Sequence, residues 1–447
     1  MRIQNKTFFV VVLIVICFAA MFLALSRRGE ERAKDISEIE SGKFNVVLIV
    51  IDTLRADHLA LYDYPLNPAP FLNRIAEKSL VFENAYTTSS WTAPATASLF
   101  TSLYPFQHGV YTGMRAHMRQ SKAEENIELN RIPDQITTIA EAFQDGGFKT
   151  YGVSDNLNIC SLQGFVQGFN LFKTFDYAGA EKVNAQLKEW EQVIRDGGRY
   201  FLYIHYMDPH YPYHWNGDDT NAMDSEPEEI AKYDSEISYV DDAIEEMFDL
   251  YGWKDNTLLV ITSDHGEEFH DHGGIQHGFT LYSEVTRIPL FFFFPEIGNE
   301  GERIKQRVSI IDILPTLRDI VGLPAGSSDE GISLVPMLSN EPLAERPLYA
   351  HLRREKGDTE KEIRMQSVVS ADWKYIHSYP NTEELFNLKN DSKETVNMID
   401  AAPEIAESLR AELIRFENTC SKYGQEKVTA PINNETRERL KSLGYVR

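Results

Sequence analysis

The chain begins with an apolar, uncharged run, FFVVVLIVICFAAMFLAL at residues 8–25, with Arg2 and Lys6 before it and Arg27 and Arg28 after it. At ~1.5 Å per residue such a helix reaches across a hydrocarbon core of ~30 Å. The pattern predicts a short N-terminal segment (1–7), a transmembrane signal anchor (8–26) and a charged tether without apolar periodicity (27–43). The main body would then sit outside the cytoplasm, periplasmic or extracellular, and membrane-attached. The alternative is a signal peptide cleaved near Ala24-Leu25-Ser26 and a secreted protein.

From residue 44 onward the pattern changes to short runs that are apolar on both faces: NVVLIVI (45–51), KTYGVSD, RYFLYIHYMD (199–208), TLLVIT (257–262) and PLFFFFP (289–295). Runs of this kind are buried strands. Between them lie stretches with helical spacing or caps, such as APFLNRIAEKSL, DQITTIAEAFQDGG and YDSEISYVDDAIEEMFDLYG. Alternating strands and helices predict an α/β fold, a mostly parallel central sheet flanked by helices.

Composition narrows the function classes. A chain of 447 residues with 43% apolar and 11% aromatic residues buries one large domain with a smaller appendage and is not disordered. A formal charge of −24 argues against nucleic acid as a partner, since that binding rests on clustered Lys and Arg. An anionic substrate would need local positive charge, which a metal could supply. Cys17 follows the bulky Ile16 inside the apolar run and is no lipidation site, while Cys160 and Cys420 are too far apart in sequence to license a pairing.

Three strand ends carry an acid: Asp52, Asp208 and Asp264. Singly, each could be a turn former or helix cap. Together they place carboxylates on one sheet edge, and the loop ITSDHGEEFHDHGGIQHGF (261–279) adds His265, His270, Asp271, His272 and His277, a crowd of oxygen and imidazole donors. Thr92, followed by Pro94 and the helical run ATASLFTSL, stands at a helix start. It reads either as an N-cap or as a hydroxyl placed at an anion-binding helix terminus, where a divalent ion could make it a nucleophile.

The ordered set VIDTLRADHL, TAPATASLFTSLYPFQHGV, HYMDPHYPY, ITSDHGEE, HDHGGIQHGFTLYSEVTRIPL and ETRERLKSLGYV resembles the sulfatase family of the alkaline phosphatase superfamily, over about Asn45 to Val446. SIIDILPTL (309–317) is similar to the family's late strand, and WKYIHSYPNTEELFNLKND (373–391) to its C-terminal subdomain. The resemblance implies a catalytic domain over 44–340 and a smaller α+β subdomain over 341–447. It implies metal ligands at Asp52, Thr92, Asp264 and His265, a nucleophile at Thr92, and substrate-side histidines at His210 and His277 that hold the ester or protonate the leaving group. One or two divalent ions, zinc, manganese or calcium, are the implied cofactors. Thr53 in place of a second acid weakens the case for calcium, and an imidazole ligand favours zinc or manganese.

The pentad TAPAT, with Thr92 and Thr96, departs from the CxPxR pattern of formylglycine sulfatases, so no formylglycine is expected. Ala95 and Thr96 also depart from the TxPSHAS pattern frequent among Thr members. The implied function is a metal-dependent hydrolase that cleaves sulfate, phosphate or phosphonate esters through Thr92, its substrate a sulfated or phosphorylated glycan, lipid or small molecule. Alternatives are a membrane-anchored phosphoryl head-group transferase and a degenerate, non-catalytic binding protein.

Overall fold

The structure, a computed structural model, describes residues 44–114, 117, 126–216, 227–294, 301–338, 341–355, 361–423 and 428–431. The anchor, tether and C-terminal tail expected from the sequence lie outside these residues. Among the described residues, no helix is long and apolar enough to cross a membrane.

In chain order the strands are β1 (Asn45–Ile51), β2 (Ser79–Tyr86), β3 (Asn126–Leu129), β4 (Lys149–Ser154), β5 (Leu171–Thr174), β6 (Tyr200–Tyr206), β7 (Thr257–Thr262) and β8 (Glu268–Phe269). They continue with β9 (Ile275–Gln276), β10 (Arg287–Phe293), β11 (Arg303–Ser309), β12 (Leu348–Arg354), β13 (Ile363–Ser370), β14 (Trp373–Ser378), β15 (Thr382–Asn387) and β16 (Val428–Pro431). The main sheet has the order β11-β2-β10-β7-β1-β6-β4-β5. It is mostly parallel; β10 alone runs against its neighbours β2 and β7.

β1, β6 and β7 are buried along their lengths because their side chains feed apolar layers on both faces of the sheet. The helix Glu228–Tyr251 packs on one face through Tyr233, Ile237, Val240, Ile244 and Met247. On the other face the helix Thr92–Thr101, buried at every position, joins the core through Ala93, Ala97, Leu99 and Phe100. Each buried aliphatic or aromatic side chain contributes ~1.5–3 kcal/mol. That outweighs the ~1–3 kcal/mol cost of holding a single strained residue just past a strand end.

A separate antiparallel sheet, β12-β13-β14-β15, forms the smaller C-terminal part. The helix Pro403–Thr419 covers it with Ala406, Leu409 and Leu413. Two short pairs, β3·β16 and β8·β9, complete the strands.

One expectation is corrected. Residues 309–317 do not form a late strand: β11 ends at Ser309, and Ile310–Asp312 and Ile313–Ile320 are helical. Ser309 and Asp312 form a reciprocal capping box that starts the helix. Ile310, Ile313, Leu314 and Leu317 then recur at helical spacing toward the core.

Candidate active site

The C-terminal ends of β1, β4 and β7 deliver polar groups to one point, with the start of the helix Thr92–Thr101 beside them. Such a crevice at the carboxyl ends of strands is where open α/β sheets bind ligands. Asp52 follows β1, and its backbone N–H donates to the Tyr206 carbonyl at 2.8 Å, which pins the strand end. The next residue, Thr53, is buried with φ 57°, a strained conformation for a β-branched side chain. Its hydroxyl donates to the Pro209 carbonyl (3.0 Å) and Tyr233 Oη donates to its carbonyl (2.7 Å). Thr53 therefore turns away from Asp52, as a side chain without ligating charge can.

After β7, Asp264 and His265 complete a buried trio with Asp52, their donor atoms within 4.8 Å of one another. His265 Nε2 lies 3.4 Å from Asp264 Oδ2 and 3.6 Å from Asp52 Oδ1. His265 Nδ1 donates to the Gly266 carbonyl at 2.9 Å, which leaves the Nε2 lone pair facing the carboxylates. Gly266 is required here, because a Cβ would fall 1.9 Å from the Glu284 carbonyl oxygen.

The electrostatics of the trio suit a cation. Asp52 Oδ1 and Asp264 Oδ2 are buried and accept no hydrogen bond. Burial, then the neighbouring Asp264 charge, push the Asp52 carboxyl up to about 7. Burial also acts to raise Asp264, but His265 and His205 outweigh it and hold its carboxyl down. Two orphaned carboxylate oxygens facing an imidazole lone pair fit one divalent ion, and the mixed oxygen and nitrogen donors suit a borderline metal.

Thr92 is the first residue of its helix rather than the cap; Trp91 holds the cap position and makes no side-chain cap. The N-cap reading of Thr92 therefore does not apply. Its hydroxyl faces the trio, 3.3 Å from His265 Nε2, and accepts from Asn156 Nδ2 at 3.5 Å. The same Asn156 amide donates to Asp52 Oδ2 at 2.7 Å, so one side chain spans the hydroxyl and the carboxylate.

His277 and His210 stand outward from the trio. The His265 and His277 rings are 4.4 Å apart, and His277 and His210 4.8 Å. Burial first, then the adjacent His265 charge, lower the His277 pKa well below its usual value. His277 Nδ1 pairs with Glu267 Oε1 at 2.9 Å, while Tyr213 Oη donates to Glu267 Oε2 at 2.9 Å. His210 hydrogen-bonds Tyr177 Oη at 2.9 Å and is likewise depressed by burial and by His277.

Asp208 does not join the trio. Its Oδ1 accepts from Ala180 N at 3.0 Å, at the start of the helix Ala180–Asp196. Asp271 pairs with Arg55 (2.8 Å), and His272 with Glu284 (2.6 Å), so both brace the loop. His270 takes a left-handed conformation in the same turn. Cys160 and Cys420 are not joined to each other.

His272 gives a prediction. One ring nitrogen meets a carboxylate and the other the Glu394 carbonyl at 3.1 Å, a pattern that only the imidazolium satisfies twice. Burial acts to lower its pKa, but Glu284 overrides this and raises it from 6.5 to about 9. The folded pKa exceeds the unfolded one, so the stabilisation is full below 6.5 and is lost as pH rises through about 9. Denaturant melts of His272→Gln against the parent should differ most near about pH 6 and converge near about pH 10.

Three residues escaped the sequence reading. His205, inside β6, is fully buried with Nε2 3.7 Å from Asp52 Oδ2 and 4.0 Å from Asp264 Oδ2, and neither ring nitrogen has a hydrogen-bond partner. Asn156 and Glu267 are the others. A lone imidazole in an otherwise apolar strand was the available signal for His205.

The chain is similar to known proteins over most of its length. The sulfatase profile matches residues 44–323, and a profile for the C-terminal part of N-sulphoglucosamine sulphohydrolase matches residues 271–419. N-acetylgalactosamine-6-sulfatase of Homo sapiens is 24% identical over 386 residues, 75% of this chain and 73% of that protein. Delta 4,5-hexuronate-2-O-sulfatase of Bacteroides thetaiotaomicron is 21% identical over 429 residues, 80% and 84% respectively. Among solved structures, a 2-O GAG sulfatase superimposes with TM-score 0.69 at 18% identity, covering 84% of this chain and 92% of its own. A phosphonate monoester hydrolase of Agrobacterium radiobacter does so with TM-score 0.64 at 16% identity, covering 84% and 96%. The chain belongs to the sulfatase family, a metal-dependent family of ester hydrolases.

Proposed function

We propose that the protein hydrolyses an anionic sulfate, phosphate or phosphonate ester through Thr92 as nucleophile, with Asp52, Asp264 and His265 holding a divalent ion. The observation that supports this most directly is the Thr92 hydroxyl set 3.3 Å from His265 Nε2, beside two orphaned carboxylate oxygens. A divalent ion bound there would lower the hydroxyl's pKa and neutralise charge on the ester oxygens. Asn156 keeps the Thr92 oxygen and Asp52 in fixed relation. The helix N-terminus at Thr92 adds a partial positive charge toward the same point.

His277 is assigned the leaving-group proton. Its Nδ1 faces Glu267, whose carboxyl burial raises to about 7, so the pair carries the proton that passes from Nε2 to the alcohol oxygen, and Glu267 orients the ring for it. His210, next to it, orients the ester. His277→Gln should lower kcat on alkyl esters by about 10²–10⁴. Nitrophenyl esters, whose leaving groups need no proton, should lose much less; equal losses on both would count against the role.

The uncharged run at 8–25 supports a membrane-tethered enzyme acting outside the cytoplasm. Sulfated-glycan relatives and phosphonate hydrolase structures bracket the ester class. The test is a panel of aryl sulfate, phosphate monoester, phosphate diester and phosphonate substrates, with metal analysis of the same protein. Turnover that follows metal content sustains the reading; turnover indifferent to chelation opposes it.

A further inference from the structure

Beside His210 lies a cavity of about 630 Å³ that the chemistry above leaves unused. Asp155, Asp208 and Glu236 line it, with Tyr177, Tyr211 and Tyr239, and among the described residues no Lys or Arg lines it. Two of the acids also serve the chain itself. Asp155 accepts from Ala178 N (2.7 Å) and Gly179 N (2.8 Å), and Asp208 from Ala180 N, all at the start of the helix Ala180–Asp196. A helix terminus offers roughly half a positive charge, too little for two carboxylates. Asp208 Oδ2 remains without a partner.

Glu236 comes from another element, the helix Glu228–Tyr251, and among the described residues accepts from two neutral donors, His214 N and Asn216 Nδ2, both at 2.8 Å. The acids feel one another: burial first, with Asp155, raises Asp208 to about 6 against the Ala180 hydrogen bond, and burial first, with Asp208, raises Glu236 to about 7. Around this acidic floor the mouth is aromatic. Tyr177 and Tyr211, both lining it, are 40% and 47% exposed, unusual for such large side chains. Tyr177 also hydrogen-bonds His210, which ties the cavity to the substrate side of the active site.

Carboxylates beneath exposed aromatic faces are complementary to an ammonium group, through charge and through cation–π attraction. We propose that this cavity is a subsite for an ammonium group on the alcohol portion of the ester, so that preferred substrates are esters of amino alcohols or amino sugars. The proposal rests on the Thr92-centred reading, which places the ester next to His210.

The experiment compares matched esters on the full chain. Choline sulfate and phosphocholine are set against their neutral 3,3-dimethylbutyl isosteres, and glucosamine 6-sulfate against N-acetylglucosamine 6-sulfate. The expected result is a kcat/KM at least about tenfold higher for one cationic member over its neutral partner, worth ~1.4 kcal/mol. The pair that shows it identifies the ammonium source. In the Asp208→Asn/Glu236→Gln double variant that ratio should fall toward one; Tyr239→Phe, which keeps the ring, should preserve it. Equal rates for charged and neutral esters in the parent would overturn the subsite while leaving the Thr92 reading intact. Should no ester be turned over, the Thr92 reading fails separately, and calorimetric titration with choline, ethanolamine and glucosamine decides the subsite: binding lost in the double variant sustains it, and no binding overturns it.

Discussion

Thr92→Ala should lower kcat by about 10³–10⁶, the range seen when a nucleophile that acts with its partners is removed. Thr92 is buried within the core, and its hydroxyl faces only Asn156 and His265. Its loss therefore removes one oxygen and one methyl group without opening a path for the chain to unfold. Thr96, one turn along, is also buried with an unpartnered hydroxyl, but it sits deeper in the helix and has no contact with the trio. Thr92→Ser keeps the oxygen and should retain activity within about tenfold, since a Ser hydroxyl serves as a nucleophile in the same way. Metal content should stay at the parental level in both variants, because Asp52, Asp264 and His265 remain. An Ala variant with parental turnover would exclude Thr92 as nucleophile.

The second large effect concerns Asp52 and Asp264, and it has opposite signs for stability and for activity. Without a cation, two buried carboxylates face each other and one is driven toward its neutral form. Asp52→Asn removes one charge while keeping the shape and the Asn156 contact region. The metal-free variant should melt above the metal-free parent. Yet the added divalent ion, which stabilises the parent by binding only the folded state, should raise the variant's Tm little or not at all. Turnover should fall by at least about 10³, as for loss of a group that acts with the whole site. Thermal melts with and without chelator, beside metal analysis, check all three. A variant that still gains the full metal-dependent shift would remove Asp52 from the ligand set.

Much of the site could be read from the chain before its fold. Asp52 and Asp264 are strand-end acids after apolar runs, and those runs are buried as their composition requires. His265 and Thr92 were legible only through the ordered resemblance, since each alone fits a turn or a cap. The histidine crowd at 261–279 divides in a way spacing could not show: His265 belongs to the trio and His277 lies against its ring, while Asp271 and His272 are taken by Arg55 and Glu284. Asp208 looked equivalent to the other strand-end acids, but one helix amide claims it and the residue lines the neighbouring cavity.

What stayed hidden depends on tertiary contact. His205 lies in a run whose other members are core, so its role follows only from the pairing of β1 with β6 and β7. Asn156 acts from the end of β4, two strands from β1. The helix at 310–320 stands where the resemblance of 309–317 to the family's late strand implies a strand; the Ser309–Asp312 box was the overlooked sign.

The central claim is that the Thr92 oxygen forms a bond to the ester's sulfur or phosphorus. Rapid acid quench during turnover of a nitrophenyl ester, followed by peptide mass mapping, tests it directly. The account predicts one sulfuryl or phosphoryl group on the peptide that contains Thr92, absent from Thr92→Ala and from chelated enzyme. A modified group elsewhere, or full turnover with no covalent species at any quench time, would contradict it.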